Sequence, residues 1–190
     1  RDGVPASLEA LLQRALEKRN MQLTGEGTYE RNTVAVKGAL LAVRKARPEA
    51  VVMISAYKPA AEFIKLARQI KFDPTFVNVS FVGSTALAEE LKLLGARYTN
   101  GVIVTQVVPA VSGYSSAVLE YKNALAKYFP GEAPDYVSLE GYVAANVLIQ
   151  ALRKTGPQLD TEKLIDVLEN TRNLDLGLGT QLGFGRSEHQ

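Results

Sequence analysis

The sequence lacks cysteine and tryptophan altogether, and it contains a single histidine, His189, among 190 residues. Without cysteine the chain has no disulfide bond, no thiolate metal site and no cysteine nucleophile. One histidine beside the C-terminus argues against a Ser-His-Asp triad and against a zinc site built from several histidines. The composition therefore favours a binding protein over an enzyme, and we predict neither a metal ion nor a cofactor.

The sequence also has almost no excess of charge of one sign, because its 22 basic and 20 acidic residues leave a formal net charge of +2. The densest basic cluster, Arg44, Lys45 and Arg47, falls on a predicted helix. It is more typical of a solvated helix end than of a nucleic-acid surface, so we predict no nucleic-acid partner. No apolar run reaches the ~18 residues of a membrane span. The chain begins at Arg1, so its N-terminus gives no information on location.

Strand-like and helix-like segments alternate in the first part of the chain. Short apolar runs predict strands at 50–55, 76–81 and 102–108. Apolar residues at helical spacing predict helices at 5–18, 33–46, 59–70 and 84–94. The segment 21–29 is predicted to be extended, although Gly25 and Gly27 weaken it.

The first of these strands, AVVMIS at 50–55, is a continuous apolar run. Such a run is typical of a strand that is buried on both faces of a parallel sheet. Strands that alternate with helices of this length form βαβ units. The sequence therefore predicts an α/β fold whose parallel sheet lies between two helix layers.

The pattern changes after Pro109, where helices follow one another without strands. Apolar spacing predicts helices at 115–129, 136–155 and 161–171, separated by turn-like segments rich in proline and glycine. The tail from Asp175 is glycine-rich and polar, and we predict a loop with one short strand there. Either these helices cap the parallel sheet or they belong to a different lobe.

Ligands of open α/β sheets bind beyond the carboxyl ends of the strands, and this rule alone selects candidate residues. It selects Ser55 and Tyr57 after the first strand, Ser80 and Phe81 at the end of the second, and Gln106 in the third. These side chains offer hydroxyls, an amide and aromatic rings but no acid–base pair, which suits binding better than catalysis. The alternative is that the aromatic ring of Tyr57 packs under the next helix and that Ser80 only caps.

Two predicted helices begin at the same edge, near Pro59 and Ser84. The free backbone N–H groups in the first turn of a helix bind anions, so these N-termini are suited to hold a carboxylate. Ser84 follows a glycine and is predicted to cap its helix.

Four stretches of the sequence resemble a known family. They are TYERNTVAVKGALLAVRKARPEAVVMISAYKPAAEFIKLARQIKFDPTFVNVSFVGSTALAEEL, GARYTNGVIVTQVVP, EYKNALAKYFPGEAPDYVSLEGYVAANVLIQALRKTG and GLGTQLGF. Their order is similar to that of the C-terminal half of type I periplasmic ligand-binding proteins, in the branch that includes the branched-chain amino acid binding proteins of ABC transporters. The resemblance covers nearly the whole chain.

The resemblance implies two α/β lobes joined by three crossing strands, with a ligand in the cleft between them. Residues 1–108 would form the second lobe, incomplete at its N-terminus, and 109–177 would be helices that return to the first lobe. Residues 178–190 would be a hinge crossover and tail. Helices without their native sheet would either repack or pair with a second copy of the chain as a homodimer.

The resemblance also implies a function, which is to bind a small polar or amphipathic organic ligand in the periplasm or outside the cell and deliver it to an ABC transporter permease. Tyr57 matches a ligand-contacting tyrosine of the family. Ser80 stands where amino-acid-binding members carry an acidic residue for the ligand's ammonium group, which favours a carboxylate or an amide over a free amino acid. The alternatives are the sensing domain of a membrane receptor and a flavodoxin-like enzyme or regulatory domain.

Overall fold

The computed structural model describes residues 8–186, which divide into two units. Residues 8–106 form the first, here called the sheet unit, and residues 107–186 form the second, the helical unit. The predicted start of the first helix at residue 5 and the end of the tail, with His189, lie outside the described residues. The assignment of the two units to two lobes of a larger protein stays a prediction.

The sheet unit alternates strands and helices, as the sequence predicts. Its elements are α1 (Leu8–Glu17), α2 (Lys37–Lys45), β1 (Ala50–Met53), α3 (Tyr57–Gln69), β2 (Thr75–Asn78), a 3₁₀ helix (Ser80–Val82), α4 (Ser84–Leu94), α5 (Ala96–Thr99) and β3 (Val102–Val104). The three strands are parallel in the order β1-β2-β3, which confirms the predicted α/β class with a parallel sheet.

One face of this sheet carries the core. A cluster of sixteen buried residues joins the strands to helices α2 to α5, and it includes Phe76 in the central strand. Along β1 the residues alternate, because Val51 and Met53 are buried whereas Val52 is 39% exposed. The prediction that this strand is buried on both faces is therefore wrong. The helices cover the side of Val51, and the apolar side chains of Val52 and Ile103 stay exposed.

Other boundaries differ from the prediction for local reasons. Helix α2 begins at Lys37 instead of residue 33, because the Thr33 hydroxyl donates a hydrogen bond to the Glu30 carbonyl at 2.7 Å and forms a turn. The segment 21–29 forms no strand. At Gly27 an added Cβ would lie 2.6 Å from the carbonyl oxygen of Ala39, so glycine here permits close passage against α2.

The helical unit contains three helices and a small hairpin. They are α6 (Ser116–Tyr128), α7 (Tyr136–Thr155), α8 (Thr161–Glu169), β4 (Leu174–Asp175) and β5 (Gln181–Leu182), the two strands being antiparallel. The three predicted helices are confirmed, and the tail forms a pair of short strands where one was predicted. The buried cluster of this unit is small and consists of Val118, Tyr121 and Leu139.

Among residues 8–186, no helix combines the length and the apolar character that crossing a membrane requires. The longest helix, α7, has 20 residues and carries Glu140, Arg153 and Lys154.

Candidate functional site

The strand ends bring three of the predicted residues to one edge of the sheet. The parallel register pairs the last residues of β1, β2 and β3 with one another. Ser55, Ser80 and Gln106 each follow the end of their strand by two positions. The sequence rule therefore selected residues that share the carboxyl edge of the sheet, and their role in ligand binding stays a prediction.

The polar groups at this edge differ in what they offer. Ser55 is buried, and its hydroxyl donates to the carbonyl of the next residue, Ala56, at 2.9 Å. Ser80 and Gln106 are half-buried, and in the described part of the chain their side chains have no hydrogen-bond partner. A ligand at this edge would thus find one free hydroxyl and one free amide, while Ser55 supports the local backbone.

The aromatic residues frame the same edge. Tyr57 is the first residue of α3, and its half-buried ring packs against the core. The Lys58 ammonium nitrogen lies 5.9 Å from the centre of that ring. Phe81 lies in the 3₁₀ helix and is 49% exposed. The strand predicted at 76–81 ends at Asn78 instead, because the backbone turns there and the Ser80 carbonyl accepts a hydrogen bond from Gly83.

Two helix N-termini at this edge lack side-chain caps. Helix α3 follows Ala56, and α4 follows Gly83, whose φ of 79° is left-handed. Neither residue has a side-chain oxygen that can accept from the first turn. The prediction that Ser84 caps α4 is wrong, because Ser84 is itself the first helical residue. Pro59 has no N–H, so the first turn of α3 offers those of Tyr57 and Lys58. With the first-turn N–H groups of α4 and the positive ends of both helix dipoles, these are free for an anion.

Sequence reasoning missed a buried asparagine beneath the edge. Asn78 is fully buried at the end of β2, and its side-chain nitrogen donates to the Ile103 carbonyl at 3.4 Å. The backbone carbonyl of Asn78 accepts a hydrogen bond from the Thr105 backbone N–H at 2.9 Å. These bonds link the ends of β2 and β3, which fixes the spacing between Ser80 and Gln106. The signal in the sequence was one amide within the apolar run FVNVSF.

Taken together, the edge presents hydroxyl, amide, aromatic and ammonium groups. None of the five predicted residues is acidic, and Lys58 adds a positive charge. Such a set holds a ligand by hydrogen bonds, stacking and attraction of negative charge.

A family model described as periplasmic binding protein matches residues 2–190. No curated protein matches the sequence. Solved structures do match it. A possible leucine/isoleucine/valine-binding protein from Rhodopirellula baltica is 35% identical and superposes with a TM-score of 0.74. The match covers 86% of this chain and 44% of that one. A substrate-binding periplasmic protein from Ralstonia solanacearum is 26% identical with a TM-score of 0.76, over 93% and 50%.

A third structure shows how widely the fold is used. The fatty acid ABC transporter substrate-binding protein from Thermomonospora curvata shares 21% identity and a TM-score of 0.65, over 82% of this chain and 40% of that one. The chain thus spans about half the length of the structures it matches. These relatives are solute-binding proteins of the kind that includes the Leu/Ile/Val-binding proteins. The family model and the 35% identical structure together show that the chain belongs to the type I periplasmic binding protein family.

Proposed function

We propose that the chain is part of a non-enzymatic solute-binding protein that takes a small organic carboxylate or amide at the carboxyl edge of its sheet. The observation that carries the proposal is the pair of uncapped helix N-termini at that edge, beside the free groups of Ser80 and Gln106. A carboxylate accepts hydrogen bonds from all of these donors. The family assignment supports a periplasmic or extracellular location.

The proposed ligand class follows from the residue at position 80. A hydroxyl hydrogen-bonds to a ligand but does not neutralise an ammonium group as a carboxylate does. With Lys58 nearby and no acidic residue among the five, these residues attract the negative end of a ligand and offer no negative charge to a positive one. A ligand with a carboxylate or amide and an apolar or aromatic body fits these groups better than a free amino acid.

Delivery to an ABC transporter permease is the second part of the proposal. It is supported by relatives of the same fold that are named as ABC transporter components for fatty acids and for branched-chain amino acids. The sensing domain of a membrane receptor uses a binding site in the same way, so the ligand experiment below applies to both roles.

The proposal is tested by isothermal titration calorimetry of the chain against benzoate, benzamide, hexanoate and leucine. We expect binding of a carboxylate or the amide and none of leucine. Tyr57→Ala removes a stacking surface and a phenol, and it should weaken that binding about tenfold. The matched control is Tyr114→Ala, an exposed tyrosine of the helical unit whose ring also has a lysine nitrogen, that of Lys122, at 5.9 Å. It should leave the affinity unchanged.

Ser80→Asp tests the ligand class directly. A carboxylate at this position should abolish binding of benzoate and introduce binding of leucine, because it repels the one and neutralises the ammonium group of the other. Tight leucine binding by the unmodified chain would overturn the proposed ligand class. An affinity that Tyr57→Ala leaves unchanged would overturn the proposed site.

A further inference from the structure

A groove lies at the opposite, amino edge of the same sheet. The connections that lead into β1 and β2, residues 47–49 and 71–74, form most of its wall, and the C-terminal end of α2 forms the rest. We call it the amino-edge groove. Its volume is about 850 Å³. Four-residue strands separate it from the carboxyl edge by roughly 13 Å, so the two edges are distinct surfaces.

Four basic residues line this groove. Arg44 and Lys45 lie in the last turn of α2, Arg47 follows that helix, and Lys71 follows α3. The basic cluster seen in the sequence thus gains a fourth member from a segment 24 residues away. All four are exposed, and within the described part of the chain none of their side chains makes an ion pair or a hydrogen bond.

The negative charges nearby do not balance these four. Of the two acidic residues in the groove, Asp73 is already held by Arg68, whose side-chain Nε donates to it at 2.9 Å. Glu49 contributes one negative charge, and the C-terminal ends of α2 and α3 together contribute about one more. An excess of about two positive charges remains, so attraction to the helix ends accounts for only part of the cluster.

The backbone at two of the basic residues is left-handed. Arg47 has φ 48° and Lys71 has φ 57°, each at the position after a helix cap. Glycine and asparagine are the residues that adopt this conformation with least strain. A long basic side chain at each of these positions places two positive charges on the rim of the groove, at a conformational cost. Such strain is found where a residue has a role in binding.

The wall between the charges is apolar. Leu41 is 63% exposed at the groove, and the half-buried ring of Phe72 lies in the same wall. A flat membrane surface does not enter a concave groove, and a small inorganic anion leaves the apolar wall uncovered. An extended peptide meets both demands, because acidic side chains pair with the rim while an apolar one covers the wall.

We propose that the amino-edge groove docks an acidic peptide segment of a partner protein, with an apolar side chain of that segment against Leu41 and Phe72. Charge complementarity selects the partner, and the groove gives the contact its shape. The proposal does not depend on the ligand site, because it uses other residues at another edge of the sheet.

The test is the fluorescence anisotropy of a labelled peptide in which glutamates flank one leucine, titrated with the chain. The triple variant Arg44→Glu, Arg47→Glu, Lys71→Glu should weaken binding more than about tenfold, since three attractions become repulsions. The matched control reverses three exposed lysines and arginines in other helix ends, Lys92→Glu, Arg153→Glu and Lys154→Glu. It should change the affinity by less than about twofold.

Leu41→Ser keeps every charge and should still weaken binding of the peptide, which separates the apolar contact from electrostatic attraction. Circular dichroism checks that each variant is folded, and Arg44→Gln with Lys71→Gln replaces the triple variant if that one is not. An equal loss in the control variant would overturn the proposal, because binding would then follow net charge alone. Displacement of the peptide by millimolar phosphate, or tighter binding to phosphatidylglycerol vesicles through the same residues, would overturn it as well.

Discussion

The two units of the molecule differ in how much of their stability each can obtain from burial. The sheet unit has sixteen buried residues in one cluster, and its largest members, such as Phe76 and Ile64, are fully buried. The cluster of the helical unit has three, although its helices are in total nearly as long as those of the sheet unit. Amphipathic helices need a second layer to cover their apolar side. The helical unit therefore depends more on local interactions than the sheet unit does.

The two units also differ in how their helices begin, and here the helical unit has the more complete interactions. In the helical unit Asp135 and Asp160 cap α7 and α8, and their carboxylates accept from first-turn N–H groups at 2.6 and 2.8 Å. In the sheet unit α3 and α4 begin without a side-chain cap. In the less buried unit two of the three helices thus begin with a side-chain cap, and only α6 begins without one. Where burial is extensive, the helix ends are left open at the proposed ligand site, at some cost in stability.

The largest expected effect tests burial with one substitution in each unit. Leu87→Ala in α4 should lower the free energy of unfolding by about 4 kcal/mol, because the close-packed core cannot collapse around the cavity. Leu139→Ala in α7 should cost about 2 kcal/mol, because a small cluster relaxes more easily. Both leucines are almost fully buried, so the chemistry removed is the same. Urea denaturation, with hydrogen exchange followed separately over α4 and α7, gives the two values.

Equal losses of unfolding free energy in the two variants would contradict the inferred difference in packing between the units. They would mean that the helical unit packs as firmly around Leu139 as the sheet unit does around Leu87. Hydrogen exchange provides the internal check, because each substitution should accelerate exchange most in its own unit.

A smaller effect is expected at Gly177, where the helical unit relies on a close backbone contact. An added Cβ would lie 2.0 Å from the Ser116 hydroxyl oxygen, and the Gly177 carbonyl accepts from the Ala117 N–H at 3.1 Å. With φ at 73°, Gly177→Ala should lower the free energy of unfolding by about 2 kcal/mol through backbone strain and a weakened bond. Thermal unfolding followed by circular dichroism measures the change.

Gly179→Ala is the matched control for that substitution. Gly179 has φ 87° but no atom within 4 Å of an added Cβ, so only the backbone strain of about 1 kcal/mol applies. The difference between the two variants isolates the contact with α6. Similar losses for both would show that the close approach at Gly177 contributes nothing.

The features that the sequence predicts are those set by local signals. The bounds of α7 match their prediction at both ends, because Asp135 caps the start and Gly156 follows the end with a positive φ. These signals are local and act within one turn of the helix. The places of the three strands are predicted as well, since each is an apolar run between turns, but each strand ends before its run does, at Met53, Asn78 and Val104.

The features that the sequence does not predict depend on contacts between elements. Nothing within the apolar run shows that Ser80 and Phe81 leave the strand for a 3₁₀ helix, because the left-handed Gly83 that accommodates the turn is itself read only from the structure. Exposure of Val52 depends on which face the helices cover. The shared edge of the candidate residues is predictable because parallel strands end together, whereas the bonds of Asn78 form across two strands.

The smallest effects are expected from two substitutions that exchange the capping pattern of the two units. Ala56 has the extended backbone of a cap residue, with φ −74° and ψ 165°, so Ala56→Asp should close the N-terminus of α3 and raise the free energy of unfolding by about 0.5 kcal/mol. Asp160→Ala is the reverse change in α8 and should lower it by about 1 kcal/mol.

The new carboxylate at position 56 should also compete with a ligand carboxylate for the same N–H groups, so affinity for benzoate should fall while stability rises. Calorimetry and thermal unfolding of the one variant measure both quantities. If Ala56→Asp stabilised the chain and left carboxylate binding intact, the open helix ends would have no part in the site. The missing caps of the sheet unit would then reflect only its larger core, because a unit that buries sixteen residues does not need them.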